Sequence, residues 1–224
     1  MSGPIAISRV TRPRQAARIA YNRYALFYDF MGGQFERPYA MKGLQMLNVQ
    51  PGESAIEIGF GTGHGILQLA KAVGENGHVS GIDISDRMCA ITRLRIHQEN
   101  LLDRVSLHCG DALKLPFEAA TFDALFMSFT LELFDTEDIP LVLRECYRVL
   151  KPRGHICIVS LLKSKQCSRI ERLYEWIHER FPQWVDCRPI QAGQELIQAG
   201  FELQQEQVQS MFGLLVSTVV AVKS

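Results

Sequence analysis

The chain has 224 residues, of which 47% are hydrophobic, and its 24 Lys plus Arg residues balance its 24 Asp plus Glu residues. This length and composition fit one α/β domain with a substantial buried core. A formal net charge of zero argues against nucleic acid as the main partner, because phosphate binding usually leaves a basic footprint.

The N-terminus carries arginines but no acidic residue before Asp29. Three interpretations stay open, namely a solvated terminus, an arginine-rich targeting peptide and a contact with a membrane surface. The chain has no apolar run of about 18 residues and no secretory h-region, so we expect a cytoplasmic protein that does not span a bilayer. The basic residues are Arg9, Arg12, Arg14, Arg18 and Arg23.

The six cysteines and six histidines show neither C-x-x-C nor H-x-x-x-H spacing. Both spacings are typical of zinc sites. The sequence therefore predicts no metal site, and it predicts free thiols of the kind found in a reducing compartment.

Residues 1–50 read as helical, and after them short apolar runs alternate with longer amphipathic ones. This alternation predicts a parallel sheet with helices on both faces. The predicted strands are Ser54–Ile58, His78–Ile82, Val105–Cys109, Phe122–Ser128 and His155–Ser160. The predicted helices are Ala16–Phe30, Glu36–Leu47, Gly63–Val73, Asp86–Asn100 and Ile139–Leu150.

The alternation breaks after the fifth strand, where residues 161–190 mix aromatic and basic side chains. We expect this segment to form part of a cap over the acceptor, with its aromatic residues either contacting a planar molecule or packing the cap onto the sheet. The basic residues, Lys163, Lys165, Arg169 and Arg172, are suited to an acidic substrate or an anionic lipid. A helix over Gln191–Ala199 and a terminal hairpin of Phe201–Val208 and Leu214–Val222 follow.

The strongest functional signal is the turn Glu57-Ile58-Gly59-Phe60-Gly61-Thr62-Gly63-His64-Gly65, between the first strand and the next helix. Glycines allow a sharp turn and a close approach of ligand to backbone, and the helix N-terminus offers free N–H groups. The G-x-G-x-x-G dinucleotide spacing fails in both registers, and no G-K-[ST] of a phosphate loop follows. The turn therefore suits an adenosyl ligand without a pyrophosphate.

Two acids end the next two strands. Asp83 is expected to accept hydrogen bonds from a ribose diol, although it could instead cap the following helix, a role open to Ser85 as well. Asp111 is expected to bind the adenine amino group, or else to stabilise its own turn. Ile84 and Met88 are then placed to pack on the adenine faces.

The fourth strand, Phe122–Ser128, stays apolar until its last residue. The chain after it is expected to line the mouth where the methyl group is presented. Phe129 and Glu132 are candidates to face the cofactor or the acceptor, and Phe129 is equally suited to the core.

These elements resemble the class I S-adenosylmethionine-dependent methyltransferases, most closely the ubiquinone/menaquinone C-methyltransferase-like (methyltransferase type 11) group. The resemblance runs from about Tyr28 to Leu161. The residues that carry it are Glu57–Gly63, Gly81–Ser85, Gly110–Phe117, Phe122–Ala124 and Arg148–His155.

The resemblance implies a Rossmann-like three-layer α/β sandwich, whose seven-stranded sheet has the order 3-2-1-4-5-7-6 with strand 7 antiparallel. It implies S-adenosylmethionine as the cofactor, with S-adenosylhomocysteine as its product and no metal. A helical N-terminal segment over residues 1–50 would cover the cofactor. The methyltransferase domain would fill residues 51–224, with a small helical cap inserted at about 161–190.

The resemblance also assigns site residues. Tyr21–Asp29 is similar to the family's Tyr-Asp segment, which implies that Tyr28 contacts cofactor or acceptor with Tyr24 as its companion. Glu57 replaces the commoner Asp, and Phe60 replaces a small residue or Cys and is expected to narrow the methionine end of the pocket. The other implied cofactor contacts are Gly59, Gly61, Gly63, Asp83, Ile84, Met88, Gly110, Asp111, Ala112, Ser128 and Phe129.

The predicted reaction is methyl transfer to a small, partly apolar acceptor: a quinone-type ring, an amine natural product or a lipid headgroup. The protein's main task would be to align the acceptor and to exclude water. If the acceptor must lose a proton, the candidate bases are His64, Glu132 and Tyr24. Two alternatives stay open: a methyltransferase acting on protein or nucleic acid, and a non-catalytic S-adenosylmethionine-binding protein.

Overall fold

The computed structural model describes residues 18, 19, 22, 33–164, 168–180 and 187–224. The predicted helix Ala16–Phe30 falls almost wholly outside these residues, and so do Tyr24 and Tyr28. The second predicted N-terminal helix is present as α1, which covers Gln34–Leu47.

The chain folds around one seven-stranded sheet with the order β3-β2-β1-β4-β5-β7-β6. Strands β1 to β5 pair in parallel, and β7 pairs antiparallel with both β5 and β6, so the expected topology is confirmed. The strands are β1 Ser54–Ile58, β2 His78–Asp83, β3 Val105–Cys109, β4 Phe122–Ser128, β5 Leu150–Leu161, β6 Phe201–Met211 and β7 Leu214–Lys223.

Helices cover both faces of the sheet, because its central strands are apolar on both sides. Neighbouring residues of β1 point to opposite faces, so Ala55 joins the core on one side and Ile56 the core on the other. Helices α1, α2 and α3 pack on the first side, and α4 and α6 on the second. The helices after α1 are α2 His64–Val73, α3 Asp86–Gln98, α4 Ile139–Val149, α5 Arg169–Arg180 and α6 Ala192–Gln198.

Strand β5 begins earlier than predicted. Leu150 already pairs with Phe122, and after a register shift the pairing resumes between Ala124 and His155. Pro152 and Gly154 follow α4 and lie within this irregular entry to the strand, where a residue without an N–H is tolerated.

The two ends of the segment between β5 and α6 are hydrogen-bonded to each other next to the end of β5. The Lys163 N–H donates to the Ile190 carbonyl, and the Ile190 N–H donates to the Leu161 carbonyl, both at 2.9 Å. Helix α5 lies between these bonds. In the described part of the chain, no helix is long and apolar enough to cross a membrane.

Candidate cofactor site

The glycine turn lies at the carboxyl end of β1 and is held by side chains distant in sequence. Gly59, Gly61 and Gly63 have φ values of 73°, 51° and 87°, in the left-handed region that favours glycine. A Cβ on Gly59 would overlap the Thr130 side chain, and one on Gly63 would lie 2.5 Å from Thr92 Cγ2. Two of the glycines are therefore required by packing as well as by φ.

Gly61 differs from its neighbours because a Cβ there would meet no atom within 4 Å. Its carbonyl accepts a hydrogen bond from Thr92 Oγ1 at 2.9 Å, and its N–H donates to Asp83. The middle of the turn thus combines a fixed backbone with open space, which is the arrangement that admits a ligand close to the chain.

Asp83, the last residue of β2, is bound to the turn. Its Oδ2 accepts from the Gly61 N–H at 2.9 Å and its Oδ1 from the Ser85 N–H at 2.8 Å. Burial raises the pKa of Asp83 to about 6, against the lowering effect of those two N–H groups. Ser85, not Asp83, caps α3, because its Oγ accepts from the Met88 N–H at 3.2 Å.

Glu57 is buried beneath the turn, next to the start of α2. Gly65 makes room for its carboxyl group, because a Cβ on Gly65 would overlap Glu57 Oε1. No described residue gives Oε2 a hydrogen bond. Burial, and then the charge of Asp83, hold the pKa of Glu57 well above its usual range, while the Ile66 N–H lowers it.

Phe60 is buried among the apolar residues on the α2 side of the sheet. A Cβ on Gly81 would lie 2.7 Å from Phe60 Cδ1 and 2.8 Å from Ile66 Cδ1. The missing side chain at Gly81 therefore provides the space for this large residue in the turn.

The ends of β2 and β3 bring together the residues predicted to hold adenine. The Gly110 N–H donates to the Asp83 carbonyl at 2.9 Å, which joins the two strand ends. Asp111 Oδ1 accepts from the Leu113 N–H at 3.0 Å, the turn-stabilising bond foreseen as its alternative role. Met88 and Ala112 are buried, and Ile84 is half-buried.

The end of β4 carries a backbone outlier. Phe129 has φ 47°, an uncommon value for a residue with a side chain, and its N–H donates to the Val159 carbonyl at 2.8 Å. Its ring is buried with the core, as in the second of the two interpretations given for it. Ser128 is half-buried, and its carbonyl accepts from Thr130 Oγ1 at 2.9 Å.

Two candidate bases lie within the described residues. Glu132 is fully buried in the short turn Leu131–Leu133, and its Oε1 accepts from the Leu161 N–H at 3.1 Å. His64 is half-buried at the start of α2, with its Nε2 2.8 Å from Arg95 Nη1. Since a guanidinium only donates, this bond places the lone pair of His64 on Nε2.

The described N-terminal residues lie against the start of α3. Arg18 donates to Asp86 Oδ2 through Nε at 3.0 Å and Nη2 at 2.6 Å. Asn22 Oδ1 accepts from Ser85 Oγ at 2.7 Å, and the Asn22 carbonyl accepts from Arg87 at 3.0 Å. Arg18 and Asn22 thus lie next to the strand end that carries Asp83.

Sequence reasoning missed three residues that shape this edge: Thr92, Thr130 and Asn22. The two threonines contact the glycine turn from α3 and from the chain after β4, and no local pattern connects them to it. Asn22 lies inside the Tyr21–Asp29 segment, so the resemblance indicated its neighbourhood but not its hydrogen bonds.

Residues 55–154 match the family described as "Methyltransferase domain". A demethylmenaquinone methyltransferase of Halalkalibacterium halodurans is 36% identical over 65% of this chain and 58% of its own length. The corresponding protein of Symbiobacterium thermophilum is 31% identical over 81% of this chain and 72% of its own length. The alignment with the first of these relatives thus spans less than two thirds of that protein.

The fold is also found among solved structures. A SAM dependent methyltransferase from Aquifex aeolicus superposes with a TM-score of 0.62 over 83% of this chain and 89% of its own, at 24% identity. At that identity the likeness concerns the fold.

Proposed function

This chain belongs to the class I S-adenosylmethionine-dependent methyltransferases of the menaquinone C-methyltransferase-like group, and we propose that it transfers a methyl group from S-adenosylmethionine to a ring carbon of a quinone-type acceptor. The other acceptors considered, an amine natural product and a lipid headgroup, receive no support from the relatives, which carry the name demethylmenaquinone methyltransferase.

The observation that carries the proposal is the pairing of two acids, buried Glu57 and half-buried Asp83, with open space at the glycine turn. The pKa values of Glu57 and Asp83 are both raised, chiefly by burial. A ligand with sulfonium and ammonium groups would compensate this buried negative charge. The open position at Gly61 lets such a ligand approach the backbone. The residues present therefore fit S-adenosylmethionine.

The residues at the strand ends would hold the parts of the cofactor. Each oxygen of Asp83 accepts one backbone hydrogen bond, and a carboxylate has about four acceptor positions, which leaves capacity for a ribose diol. Asp111 would bind the adenine amino group, and Ile84 and Met88 would pack on the ring. The N-terminal segment, fixed at Ser85 by Asn22, would cover the site, with Tyr28 in contact.

The chemistry leaves a limited task for side chains. When bound, S-adenosylmethionine supplies a methyl group made electrophilic by its sulfonium. The acceptor is nucleophilic in its reduced, quinol form, and its ring carbon loses a proton when the methyl is in place. The protein aligns this carbon and excludes water.

The candidate bases differ in how their acceptor atoms are used. His64 Nε2 takes a proton only if the Arg95 hydrogen bond at 2.8 Å is given up. Glu132 holds the Leu161 N–H, which suits a positioning role at the end of β5. Tyr24 lies outside the described residues and stays a candidate by resemblance alone.

The proposal is tested with methyl-labelled S-adenosylmethionine and a short-chain demethylmenaquinone analogue reduced to its quinol. We expect label in the organic-extractable quinone, and a large loss of rate in Asp83→Asn but not in Asp103→Asn, whose carboxylate is exposed.

Two results would overturn it in different ways. Label appearing only in protein or RNA would favour a macromolecular acceptor. Cofactor binding without transfer to the quinol, to added protein or to RNA would favour a non-catalytic binding protein.

A further inference from the structure

Helix α5 reverses the burial pattern of an ordinary surface helix, with apolar side chains exposed and charged side chains buried. Ile170, Leu173 and Trp176 are 50%, 57% and 58% exposed. On the opposite side, Glu171 and His178 are buried. Amphipathic helices of globular proteins normally bury the apolar side chains and expose the charged ones, so this helix requires a reason for its reversed arrangement.

The inward acids are paired within the protein with a buried lysine. Lys163 Nζ lies 2.5 Å from Glu175 Oε1 and 3.4 Å from Glu171 Oε1. Ser164 Oγ donates to Glu171 Oε2 at 2.6 Å. The negative charge of these two acids is therefore directed inward, away from the exposed apolar side chains.

The charges that the structure describes on the exposed side are positive. Arg169, Arg172 and Arg180 of α5 are all exposed. Among the side chains of this helix that the structure describes, the outward surface thus combines apolar residues with arginines and carries no acid.

The β6–β7 hairpin extends this surface. Its two-residue turn is Phe212-Gly213, and both residues have positive φ, 52° and 85°, as in the turn type that favours Asn-Gly. Phe212 is nevertheless 73% exposed. A large apolar residue is thus held in a disfavoured conformation at a tip where it adds nothing to the core, a combination that indicates function.

The helix and the hairpin tip are contiguous. A Cβ on Gly213 would lie 2.5 Å from Ile170 Cδ1. The Phe212 ring packs edge to face on Phe35 at 5.2 Å between centroids. We call the surface formed by Phe35, Ile170, Leu173, Trp176 and Phe212 the apolar rim.

We propose that the apolar rim, with the arginines of α5, docks on an anionic lipid bilayer. Exposed aromatic and leucine side chains next to basic residues are the composition of helices that lie in a membrane interface. Anionic headgroups complement the arginines. A second copy of this chain is less suitable, because a two-fold contact through the rim would bring like-charged arginines together.

The rim lies at the edge of the sheet that carries the glycine turn. The turn at Phe212 precedes β7, and Val216 of β7 pairs with Leu161 at the carboxyl end of β5. Docking would therefore bring the candidate cofactor site towards the bilayer. The inference does not rest on the proposed acceptor, since exposed side chains and their charges carry it.

The first test measures co-sedimentation of the full chain with phosphatidylglycerol-containing vesicles and with pure phosphatidylcholine vesicles, without cofactor or acceptor. Binding is expected to the anionic vesicles and to weaken with salt. Phe212→Asn introduces a residue that the turn prefers, so the fold should be as stable or more stable, while the partition coefficient falls about tenfold. Leu94→Asn changes a residue of α3 that is 66% exposed, and this variant should bind as the wild type.

The second test separates charge from apolar contact. Arg169→Gln with Arg172→Gln should lower binding to anionic vesicles by about fivefold for each arginine. In a Trp184→Phe variant, Trp176 is the remaining tryptophan, and its emission should shift to shorter wavelength on binding.

Three outcomes would overturn the inference. They are equal binding of both vesicle types, unchanged binding by Phe212→Asn, and loss of a dimer in that variant with no vesicle binding by the wild type. None of them bears on cofactor binding or methyl transfer, so a failure here is distinguishable from a failure of the proposed function.

Discussion

The glycine turn and helix α5 lie near the same end of the sheet, but the acidic side chains of the two regions have different partners. At the turn, the acids Glu57 and Asp83 are held by backbone N–H groups, and their pKa values are raised. In α5, the acids Glu171 and Glu175 pair with Lys163, and the cations face outward. Among the described residues, no cation is paired with the acids of the first region, which a cationic ligand would balance, whereas the acids of the second region already pair with a lysine inside the protein.

The largest expected effect is on the fold around the turn. Gly59→Ala adds a Cβ at positive φ that overlaps Thr130, and should lower the free energy of unfolding by about 3 kcal/mol. Gly52→Ala, also at positive φ but in open space, should cost about 1 kcal/mol. Urea unfolding of the two variants measures the contribution of packing, and equal losses would contradict the role given to Thr130.

Asp83→Asn comes next in size and acts on binding. It removes the charge that would accept the ribose hydroxyls, so affinity for S-adenosylmethionine should fall by about 1.5–3 kcal/mol. Titration calorimetry gives the value, with Asp103→Asn as the control of equal charge change. Wild-type affinity in Asp83→Asn would remove Asp83 from the site.

The raised pKa of Asp83 gives a pH dependence of its own. The folded protein holds this proton more tightly than the unfolded chain, so its contribution to stability is present below the ordinary value of 3.8 and is lost as pH rises through about 6. Cofactor affinity should change in the opposite sense and rise over the same window, because the ionised carboxylate is the better acceptor. Asp83→Asn should remove the part of both profiles centred near pH 6, while a contribution from Glu57, whose pKa is also raised, remains. An unchanged pH profile in that variant would assign the effect to another group.

The smallest effect is expected at the apolar rim. Leu173→Ser changes an exposed side chain and should alter the free energy of unfolding by no more than about 0.5 kcal/mol. A loss of several kcal/mol on chemical denaturation would show that α5 packs through its apolar side after all.

Much of the fold could be predicted because alternating apolar runs specify strands that are buried on both faces. The bounds of β1, β3 and β4 agree with the sequence prediction residue for residue. The entry of β5 could not be predicted, since Pro152 and Gly154 suggest a turn unless the register shift opposite Phe122 is known.

The site could be predicted in part, as far as local sequence specifies it. The turn and the acids at the strand ends follow from local sequence, whereas the packing of Thr92 and Thr130 on the glycines depends on the tertiary fold. The inward orientation of the α5 acids could not be predicted either, because Glu171 faces inward to pair with Lys163, whose position depends on the tertiary fold. Composition showed aromatic and basic residues there, but not which of them meet solvent.

Cofactor binding at the glycine turn is the central property expected of this molecule, and isothermal titration of the 224-residue chain with S-adenosylmethionine measures it. We predict saturable binding at one site per chain, weaker in Asp83→Asn than in the wild type and unchanged in Asp103→Asn. Two results would contradict the site described for this molecule. One is a folded wild-type chain that binds no S-adenosylmethionine, and the other is equal affinity in the wild type, Asp83→Asn and Asp103→Asn.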